Sequence, residues 1–418
     1  MRSPYSAAAV AIVLALTAAC CHEGQRPEED RVDVLLSAAN SPYQAEVKIL
    51  RLPVGLRQLK HFSYGLKMGK DRMLYVGIGD NQDNANLLRF DPANEVFTDL
   101  GNIRDTLAAP LRDHGNFGKL HTGPHQTADG KIYFASHPRE YWDGPQGGRL
   151  LRYSETGGLE DLGPMPNNQG AYFMHGDDAY GRLYFATRDC HFAVYDLATG
   201  SWRDKGKFTS KAPFIGLTDT EGRLYVYGHD GKGDWVPGPS TISRYDPASD
   251  TLLTSKNAPP SLWVGAVTPD HRTAFTTTYK RAEIFTWQFA EWPDFRAQSL
   301  GRIDPWGRAV FSNDLSYLAD ANSLLLAGTI ESPDNRNLGN THGLWLYEIA
   351  TGKRYLVAQL DEAITKSFGI DAGRLLIYWN NANTVGDAGW VYMGIKTMPT
   401  DATSRARLLA IRIQPKGL

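Results

Sequence analysis

Short runs of aliphatic and aromatic residues recur along this chain at nearly even spacing. Each copy reads as a turn, an aliphatic–aromatic–aliphatic strand, a polar stretch, and a further strand ending in Tyr-Asp or a close equivalent. The copies are Arg72-Met73-Leu74-Tyr75-Val76, Lys131-Ile132-Tyr133-Phe134, Arg182-Leu183-Tyr184-Phe185, Arg223-Leu224-Tyr225-Val226, Thr273-Ala274-Phe275-Thr276, Ser323-Leu324-Leu325-Leu326 and Arg374-Leu375-Leu376-Ile377-Tyr378. Anchored on Tyr75, Tyr133, Tyr184, Tyr225, Phe275, Leu325 and Ile377, they step by 58, 51, 41, 50, 50 and 52 residues. Turn residues such as Asp129-Gly130 and Glu221-Gly222 precede most anchors. Segments such as Tyr195-Asp196 and Arg244-Tyr245-Asp246-Pro247 mark a third strand and the turn to a fourth. Repeats of roughly 40–50 residues with several strands each form a β-propeller. The expectation is an all-β, seven-bladed propeller. The weak fifth and sixth copies leave six or eight blades as alternatives, and the even spacing argues against a sandwich or a solenoid. Ring closure is expected where Glu46-Val47-Lys48-Ile49-Leu50 joins the sheet formed by residues 408–413.

The amino terminus stands outside the pattern. Arg2 precedes a short apolar run over 7–19, and Leu16-Thr17-Ala18-Ala19-Cys20 resembles the bacterial lipobox, where a signal peptidase cuts ahead of a cysteine that becomes lipidated. The expected organisation is a lipoprotein signal peptide over 1–19 with lipidation at Cys20, an acidic tether over 20–40, and a catalytic propeller over 41–418. A plain secretory signal is the alternative. The lipobox reading places the protein in the periplasm or on the outer-membrane surface, held by its lipid alone. Charged residues make up 22% of the 418 and the net charge is −2, which gives no basic bias for nucleic acid. Cys190 is the only cysteine away from the amino terminus, which excludes a disulfide framework and a cysteine-rich zinc site.

The second and third copies carry a further regularity. His121 and His137 lie 16 residues apart, symmetric about Ala128-Asp129-Gly130, and Tyr172 and Arg188 lie 16 apart about Ala179-Tyr180-Gly181. In antiparallel hairpins the members of each pair face each other at the end away from the turn. The two pairs are offset from one another by 51 residues, one repeat. Superposing all copies gives two rings. Four residues after the anchors stand Gly79, His137, Arg188, His229, Tyr279, Thr329 and Asn381, and twelve before them stand Ser63, His121, Tyr172, Pro213, Trp263, Asn313 and Thr365. Asp80 and Lys280 adjoin the first ring. Taken singly, each such residue is more often a packing or surface residue. The shared repeat position is what raises them. Six of the eleven histidines also fall within 114–191, a density that adds His125 to the candidates.

A polar ring around a propeller axis suits a polar, anionic ligand. No nucleophile elbow, P-loop or dinucleotide fingerprint occurs in context. A glycosidase needs two carboxylates at close range, and a lactonase-like metal hydrolase would want several, yet Asp80 is the only obvious acid in the ring. The set suits β-elimination at a uronic acid. That reaction needs the carboxylate neutralised, a base for the proton alpha to it, and an acid for the leaving oxygen. A free tyrosine titrates near about 10, and a guanidinium beside Tyr172 would favour its phenolate.

Lys119-Leu120-His121-Thr122, the run from Asp129 to His137, and Tyr172 with Arg188 together resemble the active-site pattern of seven-bladed propeller polysaccharide lyases, which include ulvan lyases and rhamnose–glucuronate lyases. The resemblance rests on residues 117–192. It implies that Tyr172 transfers the proton, with His121, His137 and Arg188 around the uronate. His229, Lys280, Tyr279, His125, Trp263 and Asn381 are the candidates for contact with the sugar. The expected partner is an anionic uronate-containing polysaccharide, bound by a monomer. No particular cofactor is implied, and because some members carry a metal, a divalent ion stays open. The rival reading is a non-catalytic carbohydrate-binding or scaffold propeller at the cell surface.

Overall fold

The computed structural model describes residues 31–56, 61–79, 85–108, 119–137, 147–210, 216–229, 240–255, 257–258, 262–278, 282–304, 310–330, 341–368, 375–378, 386–397 and 406–417. The expected signal peptide and Cys20 lie outside them. Seven antiparallel sheets form the seven blades of a propeller. Blades 1 to 6 span 61–102, 119–164, 171–207, 216–255, 262–302 and 310–359. Strands a to d are lettered outward from the axis.

Blade 7 closes the ring. Its strands run Leu375–Tyr378, Trp390–Thr397 and Arg407–Pro415, then return to the amino-terminal Tyr43–Arg51 and, outermost, Arg31–Leu36. The two ends of the chain pair from Tyr43↔Pro415 to Arg51↔Arg407, which is the closure expected from the sequence. Alternation sets this register. Ala45, Val47 and Ile49 are fully buried, while Glu46 turns outward to accept a 3.1 Å bond from Arg412 Nε. Arg31–Leu36 also pairs along its whole length, so the expected tether over 20–40 is corrected: the disc begins ahead of residue 41.

The anchors of blades 1 to 6 all lie on strand b. This strand is packed by a neighbouring blade on each face, so it reads as an unbroken apolar run; Leu74–Gly79 and Ile132–His137 are buried throughout. The outer strands reach solvent and mix polarity, as in Ser201–Lys207. The seventh anchor differs. Ile377 lies on strand a, and strand b of blade 7 is Trp390–Thr397. Thr365, expected in the second ring, instead lies in a helix over Asp361–Phe368.

Two polar devices recur and explain the Tyr and Asp signals. In blades 1, 3 and 4 the anchor hydroxyl donates to an aspartate of its own a–b hairpin: Tyr75 to Asp71 at 2.7 Å, Tyr184 to Asp177 at 2.8 Å and Tyr225 to Asp219 at 3.0 Å. Burial first, then the carboxylate, pushes each phenol up. At the c–d turns Asp91, Asp196 and Asp246 accept the backbone N–H two residues on, at 2.9, 3.1 and 2.9 Å, which fixes the reversal.

One buried acid stands apart. Asp314, on strand a of blade 6, is 1% exposed. Its Oδ2 accepts from Ser316 Oγ at 2.9 Å, and among the described residues its Oδ1 has no hydrogen-bond partner. Burial pushes this carboxyl up to about 7. The folded protein therefore keeps a proton that the unfolded chain releases above about pH 4, and stability falls as pH climbs from there through about 7. Asp314→Asn should flatten this dependence. Thermal midpoints at about pH 5, low in that window, and about pH 8, above it, should differ less in the variant than in the parent; equal differences would contradict the assignment.

Candidate functional site

Every strand a of blades 1 to 6 runs from one face of the disc, called here the upper face, toward the lower. In blade 3 the pairing is regular near the turn, from Asp177↔Arg182, but shifts between Phe173 and Ala171, which leaves Tyr172 as the extra residue of a bulge. In blade 2 the pairs His125↔Tyr133 and Gln126↔Ile132 give way to Leu120↔Ser136 and Lys119↔His137, so His121 falls within an irregular stretch. The same position is irregular elsewhere. Shifts between Phe62 and Leu66, Leu262 and Gly265, and Ser312 and Asp314 enclose Ser63, Trp263 and Asn313. Five copies of one repeat position thus sit on broken register. A bulge turns a side chain away from the pleat, and in blades 2 and 3 it turns His121 and Tyr172 toward the axis.

The facing pairs expected from symmetric spacing are corrected accordingly. His137 pairs with Lys119, not His121, and the backbone N–H of Arg188 donates to Gly170 O at 2.9 Å. The bulges nevertheless gather three rings. His121 to His137, His121 to Tyr172 and His137 to Tyr172 each have centroids 4.9 Å apart, with interplanar angles of 35°, 85° and 63°. Both histidines are buried and Tyr172 is half-buried. The two tyrosine contacts are edge-on, the arrangement favoured between aromatic rings. Thr122 pins the irregular stretch. Its hydroxyl accepts from Ala135 N at 3.0 Å and donates toward Ala135 O at 3.4 Å, replacing the missing ladder bonds.

The other candidates divide. Among the described residues no hydrogen bond or ion pair joins the Arg188 guanidinium to Tyr172, so the expected phenol–guanidinium contact is not made. Trp263 is buried in the apolar core shared by blades 4, 5 and 6. His229 ends strand b of blade 4, pairing with Ser240. Tyr279, Lys280 and Asn381 lie outside the described residues. His125 is not with the ring cluster. It sits lower on blade 2, where its Nε2 meets Asp178 Oδ1 at 3.1 Å. Burial first, then the charges of Lys67 and Lys70, pushes it down to about 3. Gly176 gives it room, since a Cβ there would fall 2.0 Å from the ring.

A cavity of about 280 Å³ opens on the axis beside this cluster. His121 and Tyr172 line its upper part, and Lys67, His175 and His271 also line it. His175 keeps a surface open to the cavity yet is enclosed by the disc. Burial, followed by the charges of Lys67, His125 and His271, pushes it down to about 3, so it is neutral at physiological pH. Lys67 and His271 escaped the sequence reading because neither falls on a ring position. Among the described residues no three of His, Cys, Asp or Glu stand where they could hold a metal ion. Two imidazoles in contact with a phenol can accept, hold and return a proton, and the cavity beside them admits one polar group of sugar size.

No family model matches the chain, and no curated protein matches it in sequence. Solved structures do match in shape. "Structure of U3-55K" is similar with a TM-score of 0.53 at 12% identity, covering 88% of this chain and 98% of that one. "Streptogramin B lyase structure" gives 0.52 at 10%, covering 88% and 98%. "Crystal structure of RRP9 WD40 repeats" gives 0.53 at 11%, covering 92% and 100%. At such identities the likeness shows the propeller fold alone.

If Thr122 holds the irregular stretch in place, Thr122→Val keeps its shape but leaves the Ala135 amide buried without an acceptor. Denaturant unfolding should show a loss of about 1–3 kcal/mol. A loss below about 0.5 kcal/mol, the range of a neutral surface change, would mean that the bulge is held by something else.

Proposed function

We propose that this chain is a polysaccharide lyase that cleaves the glycosidic bond to a uronic acid by β-elimination. The observation that carries the reading is the mutual contact of His121, His137 and Tyr172 beside an axial cavity that His121 and Tyr172 line. The cavity has no Asp or Glu among its described lining residues, which suits an anionic sugar and disfavours a two-carboxylate glycosidase. One of the propellers similar in shape is itself named a lyase, of streptogramin B, a different substrate. That supports the scaffold's fitness for lyase chemistry and nothing about the substrate.

In this mechanism the Tyr172 phenolate takes the proton from the carbon alpha to the uronate carboxylate. The freed electron pair forms the carbon–carbon double bond, the bond to the glycosidic oxygen breaks, and that oxygen receives a proton, returned by Tyr172. His121 and His137 hold the uronate and keep the phenol ionisable by sharing its proton. Among the described residues Arg188 forms no hydrogen bond or ion pair with Tyr172, and this scheme assigns it no part in that step. The rival reading, a non-catalytic sugar-binding propeller, would fill the same cavity without transferring a proton.

The full chain incubated with uronate-containing polysaccharides should generate the ultraviolet absorbance of a conjugated unsaturated uronate. Tyr172→Phe removes only the hydroxyl, so turnover should fall by roughly a hundredfold or more while the fold survives. No absorbance on any such polymer would favour the binding-module reading. Near-normal activity in Tyr172→Phe, with activity abolished in His137→Ala, would transfer the role of base to histidine.

A further inference from the structure

The axial cavity reaches past the ring cluster to a cation that the elimination mechanism does not use. Lys67 lies near the end of strand a of blade 1, paired with Tyr75. Lys67 shares the cavity wall with Tyr172, His175 and His271. Among the described residues no carboxylate compensates it: burial and the like charge of Lys70 act on Lys67, and no acid does. Asp178, an acid of this region, is engaged by Lys70 and by His125 instead. An enclosed ammonium without a counter-ion is costly to a fold. A ligand that brings the missing negative charge removes that cost.

The cavity also limits what that ligand is. A volume of about 280 Å³ admits a single sugar ring with little to spare. Its walls combine apolar Phe173, Leu217 and Val267 with polar Thr218 and Thr268, a mixture that suits a sugar. Lys67 is the only lysine or arginine among the described lining residues, so the site balances one negative charge rather than two.

We infer that the axial cavity binds a sugar-sized monocarboxylate, with Lys67 as the counter-ion of its carboxylate. This deepens the lyase reading, on which the choice of a uronate rests, by adding Lys67 as a positive charge for the carboxylate of the uronate that His121 and His137 hold. Binding itself requires no elimination step.

The groups around Lys67 are Lys70 on its own blade, His121 and His125 of blade 2, Tyr172, His175 and Asp178 of blade 3, and His271 of blade 5. Burial and Lys70 bring Lys67 down to about 8, and His175 stays neutral near physiological pH. Carboxylate affinity should therefore hold below about pH 8 and fall as the pH rises past it, as the ammonium loses its proton.

Titration calorimetry of the full chain with free glucuronate, with glucose as the neutral control, tests this. The wild type should bind glucuronate in preference to glucose. Lys67→Met should weaken binding at least about tenfold, and Lys67→Arg should keep most of it. Because Met removes an uncompensated charge, the variant should unfold at the same temperature or above. Equal affinity in Lys67→Met, or glucose bound as well as glucuronate, overturns the inference. The two readings separate cleanly. Glucuronate binding that depends on Lys67, without elimination of any polymer, upholds this site and sinks the lyase. Elimination that is unchanged in rate and KM in Lys67→Met upholds the lyase and sinks this site.

Discussion

Broken pairing on the innermost strands is the constraint on which the site depends. A regular ladder fixes each side chain to one face of the pleat. In a propeller those faces are packed against neighbouring blades, and a residue in regular register is spent on the core. The shifts around His121 and Tyr172 release two side chains from that rule. Regular strand b then delivers His137 to the same place. The cost is borne locally: Thr122 supplies a hydroxyl in place of ladder bonds to Ala135. The same interruption in blade 5 leads elsewhere, because Trp263 is large and apolar and stays in the core. Backbone irregularity therefore creates the opportunity, and residue type decides whether a site results.

The fold was legible because burial on both faces writes a mostly apolar run, and strand b of blades 1 to 4 and 6 has that signature, whereas in blade 5 Thr273–Thr278 is mostly threonine. Ring closure was legible for the opposite reason, since Ala45, Val47 and Ile49 alternate with polar neighbours. Ile377 misled because the apolar run of an innermost strand, Leu375-Leu376-Ile377-Tyr378, resembles that of strand b, and the helix over Asp361–Phe368 occupies the preceding stretch. Bulges do not show in a count of residues. Symmetric spacing about the turns suggested facing pairs, and two register shifts cancelled that geometry while keeping the rings together. Lys67 and His271 were invisible because their meeting depends on how blades 1 and 5 converge on the axis, which no local pattern encodes.

Charge is unevenly shared between the two parts of this region. The repeated aspartates are committed to turns and to the anchor tyrosines, which keeps them out of the cavity. Among the described residues that line the cavity, the ionisable groups are imidazoles, one phenol and one ammonium, with no carboxylate. The acids Asp177, Asp178, Asp219, Glu221 and Asp270 line the neighbouring pocket instead.

The central claim is that bond cleavage here is elimination. Products released from a uronate polysaccharide by the full chain in heavy-oxygen water can be weighed by mass spectrometry. Elimination predicts that no solvent oxygen enters at the cut and that the new uronate end is lighter than a hydrolysis product by one water. Incorporation of one solvent oxygen per cut would mark a hydrolase and contradict the account.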